Sequence, residues 1–380
     1  MRLLLFDEAF LGHHAVWMEE ILRVIRDLAP DCHVSYAFPR AFETPATHIE
    51  WREPTSHHLL RKVQRWTGRP WLAAAKWRAL STLAAATRAD RVLLLYADEF
   101  LHDAYVPDVP FEWVPIYFHP RFLRASSGGA PLATLRSRTC SAIYVLDGGI
   151  ATALSSLVGK PVIRIPDFCP SVGRRETQRC EAVRSAAAGR PIIGAIGPVT
   201  RHKNIGSLLR IAKNRRDWHV LIAGLVFPQA LTPTEKSLMA DAKQMANVTL
   251  VPEYLAHDEL NALTAMCDVQ YAAYTNFPHS SNKLVRACEY RTPLVVAETG
   301  YMAEMVKRYR IGEVCDPTSD MSVTNAIARC LSSQVRSPDW QGYLAENSLE
   351  KLRDTLRPFV ALNIAEAVNN LTAGVQEDLA

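Results

Sequence analysis

The chain lacks the cysteine patterns of a zinc site or of a disulfide-stapled fold. Its eight cysteines include no Cys-x-x-Cys pair and are scattered over 380 residues, so we expect buried apolar thiols. It also has no apolar run of the roughly 18 residues that a membrane-spanning helix requires. Near the N-terminus Asp7 and Glu8 interrupt the first apolar run, which argues against a signal peptide. We therefore expect a cytoplasmic protein.

Several nucleotide-binding and catalytic signatures are also missing. There is no Gly-x4-Gly-Lys-Ser/Thr loop and no Gly-x-Gly-x-x-Gly after a strand, which argues against a P-loop ATPase and against a dehydrogenase. No Gly-x-Ser-x-Gly elbow indicates a hydrolase, and no group of residues indicates a metal site. The formal net charge is only +4, too small to indicate nucleic acid as a partner.

Short apolar runs alternate with amphipathic segments along most of the chain. Runs such as Leu3–Phe6 and Ile192–Ile196 predict buried strands, and segments such as Ile205–Asn214 predict helices. Continuous apolar strands between helices are typical of parallel sheets covered on both faces. The predicted fold class is therefore α/β, with two doubly wound, Rossmann-like domains that face a binding cleft.

The change in composition along the chain predicts its domain organisation. The first domain spans 1–168, and a polar stretch rich in Arg and Ala, 169–190, is the predicted linker. The second α/β domain spans 191–345. A helical segment then covers 346–380, since Leu349, Leu352, Leu356 and Val360 recur near one helical face.

One loop of the second domain indicates an anion-binding site. Gly197 ends a predicted strand, where a glycine lets the backbone approach a ligand closely. The following helix offers free N–H groups and a positive dipole, and Arg201 and Lys203 add formal charge. Such a loop can hold a diphosphate without a metal and stabilise it as a leaving group. A solvated basic turn is the alternative interpretation.

The order of elements from Ile192 to Asp316 resembles the nucleotide-binding domain of GT-B glycosyltransferases, especially the large retaining group with a Glu-x7-Glu motif. In that family a lysine stands six residues after the glycine of a Gly-Arg-Leu sequence, as Lys203 does here. Pro198 occupies the arginine position, and we expect Arg201 to replace it. DWHVLIAG and SSNKLVRACEYRTPLVVAETG are also similar to the family. The resemblance implies a nucleoside-diphosphate sugar as co-substrate and no other cofactor.

The chain departs from this family at both glutamates. When Pro293 is aligned with the family's Gly-x-Pro strand entry, Pro278 and Arg286 stand at the two glutamate positions. Glu289 lies one helical turn beyond Arg286, and we expect it to hold the ribose; a surface acid is the alternative. The departure leaves open whether transfer is retaining or inverting, and whether the protein is catalytic.

The start of the same predicted helix carries further candidate binding residues. Ser281, Asn282 and Lys283 offer a hydroxyl, an amide and a charge there, and we expect them to contact a phosphate or a sugar. Simple helix capping is the alternative for Ser281 and Asn282.

The resemblance is weaker before residue 170, but two loops are similar to the family. Gly12, followed by His13 and His14, resembles its phosphate-side loop, and His119 ends a predicted strand where the family often has a histidine near the donor sugar. A histidine can remove a proton from an acceptor hydroxyl. Capping or surface packing is the alternative for each histidine. Other candidate bases are Asp98, Glu99 and Asp103.

The stretch between Glu53 and Asp90 contains 36 residues with no acid, seven cations and three tryptophans. Basic side chains with interleaved tryptophans suit an anionic membrane interface. We expect a peripheral membrane contact through 57–88, at the inner face of the membrane, and a lipid-linked glycan would fit such a patch. A solvated basic face with tryptophans in the core is the alternative.

These observations predict a metal-independent GT-B hexosyltransferase of cell-surface polysaccharide synthesis. Arg201 and Lys203 would neutralise the donor diphosphate, and His119 or His14 would face the acceptor or the donor sugar. The acceptor is expected to be a glycan or a lipid-linked glycan. Two alternatives remain: a catalytically silent GT-B protein that binds a sugar nucleotide, and a sugar-nucleotide epimerase with the same architecture.

Overall fold

The structure, a computed structural model, describes residues 1–9, 14–120, 132–168, 173–332, 337–361 and 364. It divides into two compact units, one of Met1–Pro166 with Leu349–Ala380 and one of Asp167–Ser348. This division differs from the predicted domains in two places. Residues 178–187 of the predicted linker form a helix of the second unit, and the helix after residue 348 belongs to the first unit.

The strands of the described residues follow the predicted apolar runs closely. They are β1 (Arg2–Phe6), β2 (His33–Phe38), β3 (Thr47–Glu50), β4 (Arg91–Leu94), β5 (Glu112–Tyr117), β6 (Ile143–Val145), β7 (Val162–Arg164), β8 (Ile192–Ile196), β9 (His219–Ala223), β10 (Val248–Val251), β11 (Val269–Ala272), β12 (Leu294–Ala297) and β13 (Gly312–Cys315).

The helices of the described residues separate these strands and cover the sheets. They are α1 (His14–Leu28), α2 (Thr55–Thr67), α3 (Trp71–Thr87), α4 (Leu132–Leu135), α5 (Gly148–Val158), α6 (Gln178–Ala187), α7 (Ile205–Asn214), α8 (Pro233–Ala242), α9 (His257–Ala265), α10 (Lys283–Glu289), α11 (Tyr301–Tyr309), α12 (Asp320–Leu331), α13 (Trp340–Glu346) and α14 (Leu349–Val360).

Each unit has one parallel sheet with the doubly wound order that the sequence predicts. The order is β3-β2-β1-β4-β5-β6-β7 in the first unit and β10-β9-β8-β11-β12-β13 in the second. Consecutive strands run outward from β1 and then from β4, and likewise from β8 and then from β11. Ligands of such sheets bind at the carboxyl ends of the strands, where the order reverses. These points lie between β1 and β4 and between β8 and β11.

Apolar side chains explain most of these elements. In α7, Ile205, Leu208, Leu209 and Ala212 are buried at helical spacing against the second sheet. In the first unit Trp77 packs edge-on against Trp113, with ring centroids 4.6 Å apart. Core packing is thus the correct interpretation for Trp77, although not for every tryptophan of the stretch 57–88.

In the predicted helical segment 346–380, the described residues form helix α14 over Leu349–Val360. Helix α13 ends at Glu346, where that segment was predicted to begin, and the side chain of Asn347 between the two helices accepts a hydrogen bond from the backbone N–H of Asp167 (3.1 Å). Helix α14 is fixed to the first unit by polar contacts at two strands. The Tyr144 hydroxyl donates to the Thr355 carbonyl (2.9 Å), and the Arg91 guanidinium donates to the Ala361 carbonyl (2.7 Å).

The cysteines agree with the sequence-based interpretation. Of those within the described residues, Cys32 is half-buried and the others are buried, and all of them are free thiols. Within the same residues no helix combines the length and the apolar character that a membrane span requires.

The buried histidine of β9 makes the stability of the second unit depend on pH. His219 is fully buried, and its Nε2 lies 2.9 Å from the Thr249 hydroxyl. Burial, and to a smaller extent the charge of Arg190, lowers the pKa of His219 from 6.5 to about 4. The native state therefore keeps the ring neutral at pH values where the unfolded chain binds a proton.

We expect acid to destabilise the second unit through His219. The part of the free energy of unfolding that depends on the neutral His219 ring is complete above pH 6.5 and is lost as the pH falls from 6.5 towards about 4. Between pH 7 and pH 5 it should amount to roughly 2 kcal/mol, and His219→Gln should remove that part. Urea unfolding of both proteins at the two pH values measures it. An equal loss of stability in the wild type and the variant would contradict the assignment.

Candidate functional site

The carboxyl ends of β1, β4 and β5 bring together polar residues from three separate parts of the first unit. Asp7 follows β1, Tyr96 and Asp98 follow β4, and His119 follows β5. His14 begins α1 directly after β1. Because these strands are parallel neighbours, their carboxyl ends share one edge of the sheet. The predicted Gly12 and His13 lie outside the described residues.

His14 and Asp7 form a carboxylate–imidazole pair. The His14 Nδ1 lies 2.7 Å from the Asp7 Oδ2, and the Asp7 side chain is only 1% exposed. An ionised carboxylate can only accept a hydrogen bond, so Nδ1 is the donor. The neutral ring then carries its lone pair on Nε2, where it can accept a proton. This arrangement is suited to general-base chemistry.

Tyr96 joins the two predicted histidines. Its ring packs against His14 with centroids 4.4 Å apart, and its hydroxyl lies 3.2 Å from the His119 Nδ1. Burial, reinforced by the charges of Asp98 and Asp7, raises the pKa of Tyr96 well above 10. The phenol therefore stays neutral. The structure thus places His14 and His119 in one cluster.

Asp98 holds the loop that carries His119. Its carboxylate accepts the backbone N–H of His119 (2.9 Å) and that of Phe118 (3.2 Å), and its Oδ1 lies 3.4 Å from the His119 Nδ1. The His119 side chain remains 39% exposed, against 14% for His14. Asp98 therefore positions His119, and His119 is the more accessible of the two histidines.

The other candidate bases are engaged elsewhere. The Glu99 carboxylate forms ion pairs with the Arg61 guanidinium (2.6 Å) and the Lys76 ammonium (2.9 Å). Burial disfavours its ionisation, but these two cations outweigh burial and lower the pKa of Glu99 to about 2. Asp103 lies 3.0 Å from the His102 Nδ1. Neither acid joins the cluster of His14 and His119.

In the second unit two glycine loops at the carboxyl edge lie in close contact. Gly197 follows β8 with φ 105°, and Gly224 follows β9 with φ 138°. A Cβ placed on Gly224 would come within 2.4 Å of the Gly197 carbonyl oxygen, whereas a Cβ on Gly197 would meet nothing within 4 Å. The loops therefore pack on one side, and the space beside Gly197 on the other side is open.

Lys203 stands beside this open space. Its ammonium lies 2.6 Å from the Tyr274 hydroxyl and 4.0 Å from the centre of the Tyr274 ring. The turn that carries it is fixed by Asn204, whose side chain donates to the Ala273 and Pro317 carbonyls (3.2 and 2.8 Å). The ammonium group of Lys203 is thus held in a defined position.

Arg201 begins the same turn and is exposed. Among the described residues it has no ion-pair partner, so its charge is available to a ligand. The prediction that Arg201 replaces the family arginine remains compatible with this position.

The start of α10 brings a second, buried cation to the same edge. Lys283 is only 6% exposed, and its ammonium lies 3.5 Å from the Gln270 side-chain oxygen. Burial lowers the pKa of Lys283 well below 10.5, and the charges of Lys203 and Arg286 lower it further. A bound anion would relieve this electrostatic strain. The predicted neighbours Ser281 and Asn282 precede it, half-buried, and neither makes a strong cap, because Ser281 lies 3.5 Å from the Lys283 N–H.

Arg286 and Glu289 do not reproduce the family's second glutamate. Arg286 is buried and donates to the Asn261 side chain (2.9 Å). Glu289 is exposed and ends α10. A helix of this length spans about 10 Å, so Glu289 lies at the far end from Lys283. The structure does not bring Glu289 to the other predicted binding residues.

Sequence reasoning missed three residues that organise these clusters. Asp7 was interpreted only as an interruption of an apolar run, although an acid directly after a buried strand is a recurrent site signal. Tyr96 and Tyr274 were given no role. Their hydroxyls contact His119 and Lys203 respectively. Among the described residues, no three His, Cys, Asp or Glu side chains are grouped so as to hold a metal ion.

The comparisons with known proteins agree with this geometry. Residues 179–348, nearly the whole second unit, match the model of the family "Glycosyl transferases group 1". The predicted resemblance is confirmed. No curated protein sequence matches the chain.

The whole chain has the GT-B fold of several solved structures. WaaG, a glycosyltransferase involved in lipopolysaccharide biosynthesis, is 12% identical, with a TM-score of 0.63 over 95% of this chain and 100% of WaaG. HepE from Anabaena, solved with UDP-glucose, is 13% identical, with a TM-score of 0.62 over 99% and 100% of the two chains.

A protein of another activity shares this fold. A Listeria monocytogenes protein described as a UDP-N-acetylglucosamine 2-epimerase is 10% identical, with a TM-score of 0.59 over 100% and 96% of the two chains. At such identities the likeness concerns the fold.

We expect Gly224→Ala to destabilise the second unit more than Gly189→Ala. Both glycines have positive φ values, but a Cβ on Gly189 would meet nothing within 4 Å. The control therefore bears only the backbone cost, roughly 1–2 kcal/mol, whereas Gly224→Ala must also push the Gly197 loop away. Urea unfolding compares the two variants. Equal losses would show that the contact between the loops contributes nothing.

Proposed function

We propose that the protein is a glycosyltransferase that uses a nucleoside-diphosphate sugar as donor and a hydroxyl of a glycan as acceptor. One observation carries this proposal above the others. In the segment that matches the group 1 family, Lys203 lies in the loop after β8 near the open backbone of Gly197, and the buried Lys283 begins α10 after β11, so that both cations come from the two strands of the switch point. Positive charge around an exposed backbone at such a point suits a diphosphate.

The donor site consists of residues of the second unit. Lys203 and Arg201 contact the diphosphate and stabilise the negative charge that develops as the glycosidic bond breaks. The charge of the buried Lys283 ammonium is balanced by no acid among the causes of its lowered pKa. It gains a favourable partner when the phosphates bind. Ser281 and Asn282 donate hydrogen bonds to the sugar or the phosphates. HepE, which has the same fold, binds UDP-glucose, and this supports UDP as the first nucleotide to test.

The acceptor chemistry is assigned to the histidines of the first unit. His14 is oriented by Asp7, and His119 is the more exposed histidine of the same cluster. Either ring can take the proton of a sugar hydroxyl as it attacks. WaaG is a glycosyltransferase involved in lipopolysaccharide biosynthesis, which supports a role in the synthesis of a cell-surface polysaccharide; the hexosyl group remains the sugar that we propose from the sequence.

Two alternatives have specific observations in their favour. Arg286 replaces a family glutamate and is tied to Asn261, which favours a protein that binds a sugar nucleotide without turnover. The Listeria epimerase shares the fold, which favours conversion of the donor sugar itself. An epimerase changes the donor without an acceptor, and a silent binder leaves it unchanged, so analysis of the sugar after incubation separates the three functions.

We expect UDP to raise the melting temperature of the wild type and to have little effect on Lys203→Ala. A ligand that binds only the native state stabilises it by linkage, and loss of a charge-assisted phosphate contact should weaken binding roughly tenfold or more. Lys213→Ala is the matched control, because Lys213 pairs with Asp241 on the surface of the same unit. Differential scanning fluorimetry with UDP, GDP and adenosine measures the shifts. If no nucleotide stabilises the folded wild type, the donor site is refuted.

We also expect His14→Ala and His119→Ala to retain this UDP shift but to lose transfer. Removal of a general base costs about 10²–10⁴-fold in rate. His33→Ala is the matched control, since His33 is exposed at the start of β2, away from the carboxyl edge. UDP release from UDP-sugars, measured with a panel of glycan and lipid-linked acceptors, gives the rates. Unchanged rates in both variants would exclude the histidines from the reaction.

A further inference from the structure

The helix pair α2–α3 exposes an unusual set of side chains. Trp66 is 89% exposed, Leu59 65% and Trp71 48%. They are three of the seven large apolar side chains that are exposed in the described part of the chain, and they lie within 13 residues. Isolated exposed apolar residues are ordinary, but such a concentration marks a contact surface.

Exposed cations surround these apolar side chains. Leu59, Lys62 and Trp66 follow one another at i, i+3 and i+7 of α2 and share a helical face. Arg65 is exposed beside them, and Arg69 lies in the turn after α2. We call Leu59, Lys62, Arg65, Trp66, Arg69 and Trp71 the outer face. Within the described residues its three cations have no ion-pair partner.

The opposite side of the helix pair is neutralised inside the unit. Arg61 binds Glu53 (2.8 Å) and Glu99 (2.6 Å). Lys76, whose side chain is fully buried, binds Glu8 and Glu99. These pairs fix the helices at the carboxyl edge of the first sheet, since Glu8 follows β1 and Glu99 follows β4.

Glu8, Glu53 and Glu99 are therefore paired on the inner side. No acid occurs between Glu53 and Asp90 to balance the outer face. The ion pairs on the inner side fix the helices, and the outer face keeps its positive charge.

We propose that the outer face docks on an anionic lipid bilayer. Tryptophan prefers the headgroup region of a bilayer, leucine enters the acyl boundary, and lysine and arginine are attracted to acidic headgroups. A nucleic acid would use the cations but would gain little from Leu59. The inference goes beyond the proposed reaction and does not depend on it. It places the edge that carries His14 and His119 close to a membrane surface, where a lipid-linked acceptor is found.

The test is flotation of the purified full chain with vesicles of phosphatidylcholine alone and of phosphatidylcholine with phosphatidylglycerol. We expect binding to the anionic vesicles only, weakened by added salt. Lys62→Glu combined with Arg65→Glu should lower the bound fraction at least about tenfold, and Trp66→Ser should lower it severalfold. The matched control is Lys236→Glu combined with Lys243→Glu, which makes the same charge change at exposed positions on or next to α8 of the other unit.

The melting temperature and the UDP shift of each variant show whether it is folded. Because Trp66 is almost fully exposed, Trp66→Ser keeps the test valid should the charge-reversal variant fail to fold. The proposal is overturned if the wild type does not float with anionic vesicles, or if the control pair reduces binding as much as the outer-face pair. Binding to RNA in place of vesicles, lost in the same variants, would also overturn it. If UDP does not raise the melting temperature of the wild type, the proposed donor site is refuted, but the vesicle-binding result still stands.

Discussion

The parallel direction of every strand pair is the constraint on which both clusters depend. In a parallel sheet each strand must be followed by a crossover that returns the chain to the amino edge. All loops that leave the carboxyl edge therefore start side by side, whatever their distance in sequence. Asp7, Tyr96 and His119 meet for this reason in the first unit. Lys203 meets Tyr274 for the same reason in the second.

The two units differ in what surrounds their buried lysine. Lys76 is surrounded by Glu8, Glu53 and Glu99 and is neutralised within the protein. Lys283 has a neutral amide as its nearest partner, and two other cations act on it. In a buried ion pair the two charges neutralise each other, and the pair holds neighbouring elements in place. A buried cation with an uncharged partner is a preformed place for an anion, and the family match makes a diphosphate the natural candidate.

The sequence predicted strands where apolar runs are continuous and failed where they are not. Strand β8, residues 192–196, was predicted with its observed bounds. Strand β3, with the sequence THIE, was missed because it is a half-exposed edge strand with one strongly apolar residue. Helix α2 is amphipathic, but it was missed because this stretch was interpreted only through its basic residues and tryptophans.

The candidate site was predictable to the extent that its residues carry charge beside a strand. Lys203, His14 and His119 stand out for that reason, and the structure gives each a defined partner. Of the partners, Asp7 carried an unused signal as an acid directly after a buried strand, whereas the role of Tyr274 follows only from the strand order. Glu289 illustrates the converse. It was expected at the binding site, but it stands at the last position of α10 and Lys283 at the first, nearly two helical turns apart.

The membership of α14 in the first unit affects how the protein can be made. The seven strands of that unit are synthesised first, but Tyr144 and Arg91 find their partners on a segment that is synthesised only after the entire second unit. A chain emerging from the ribosome therefore carries an unfinished first unit throughout the synthesis of the second. The natural order of completion is reversed: the unit encoded in the middle can finish folding before the one encoded at the start.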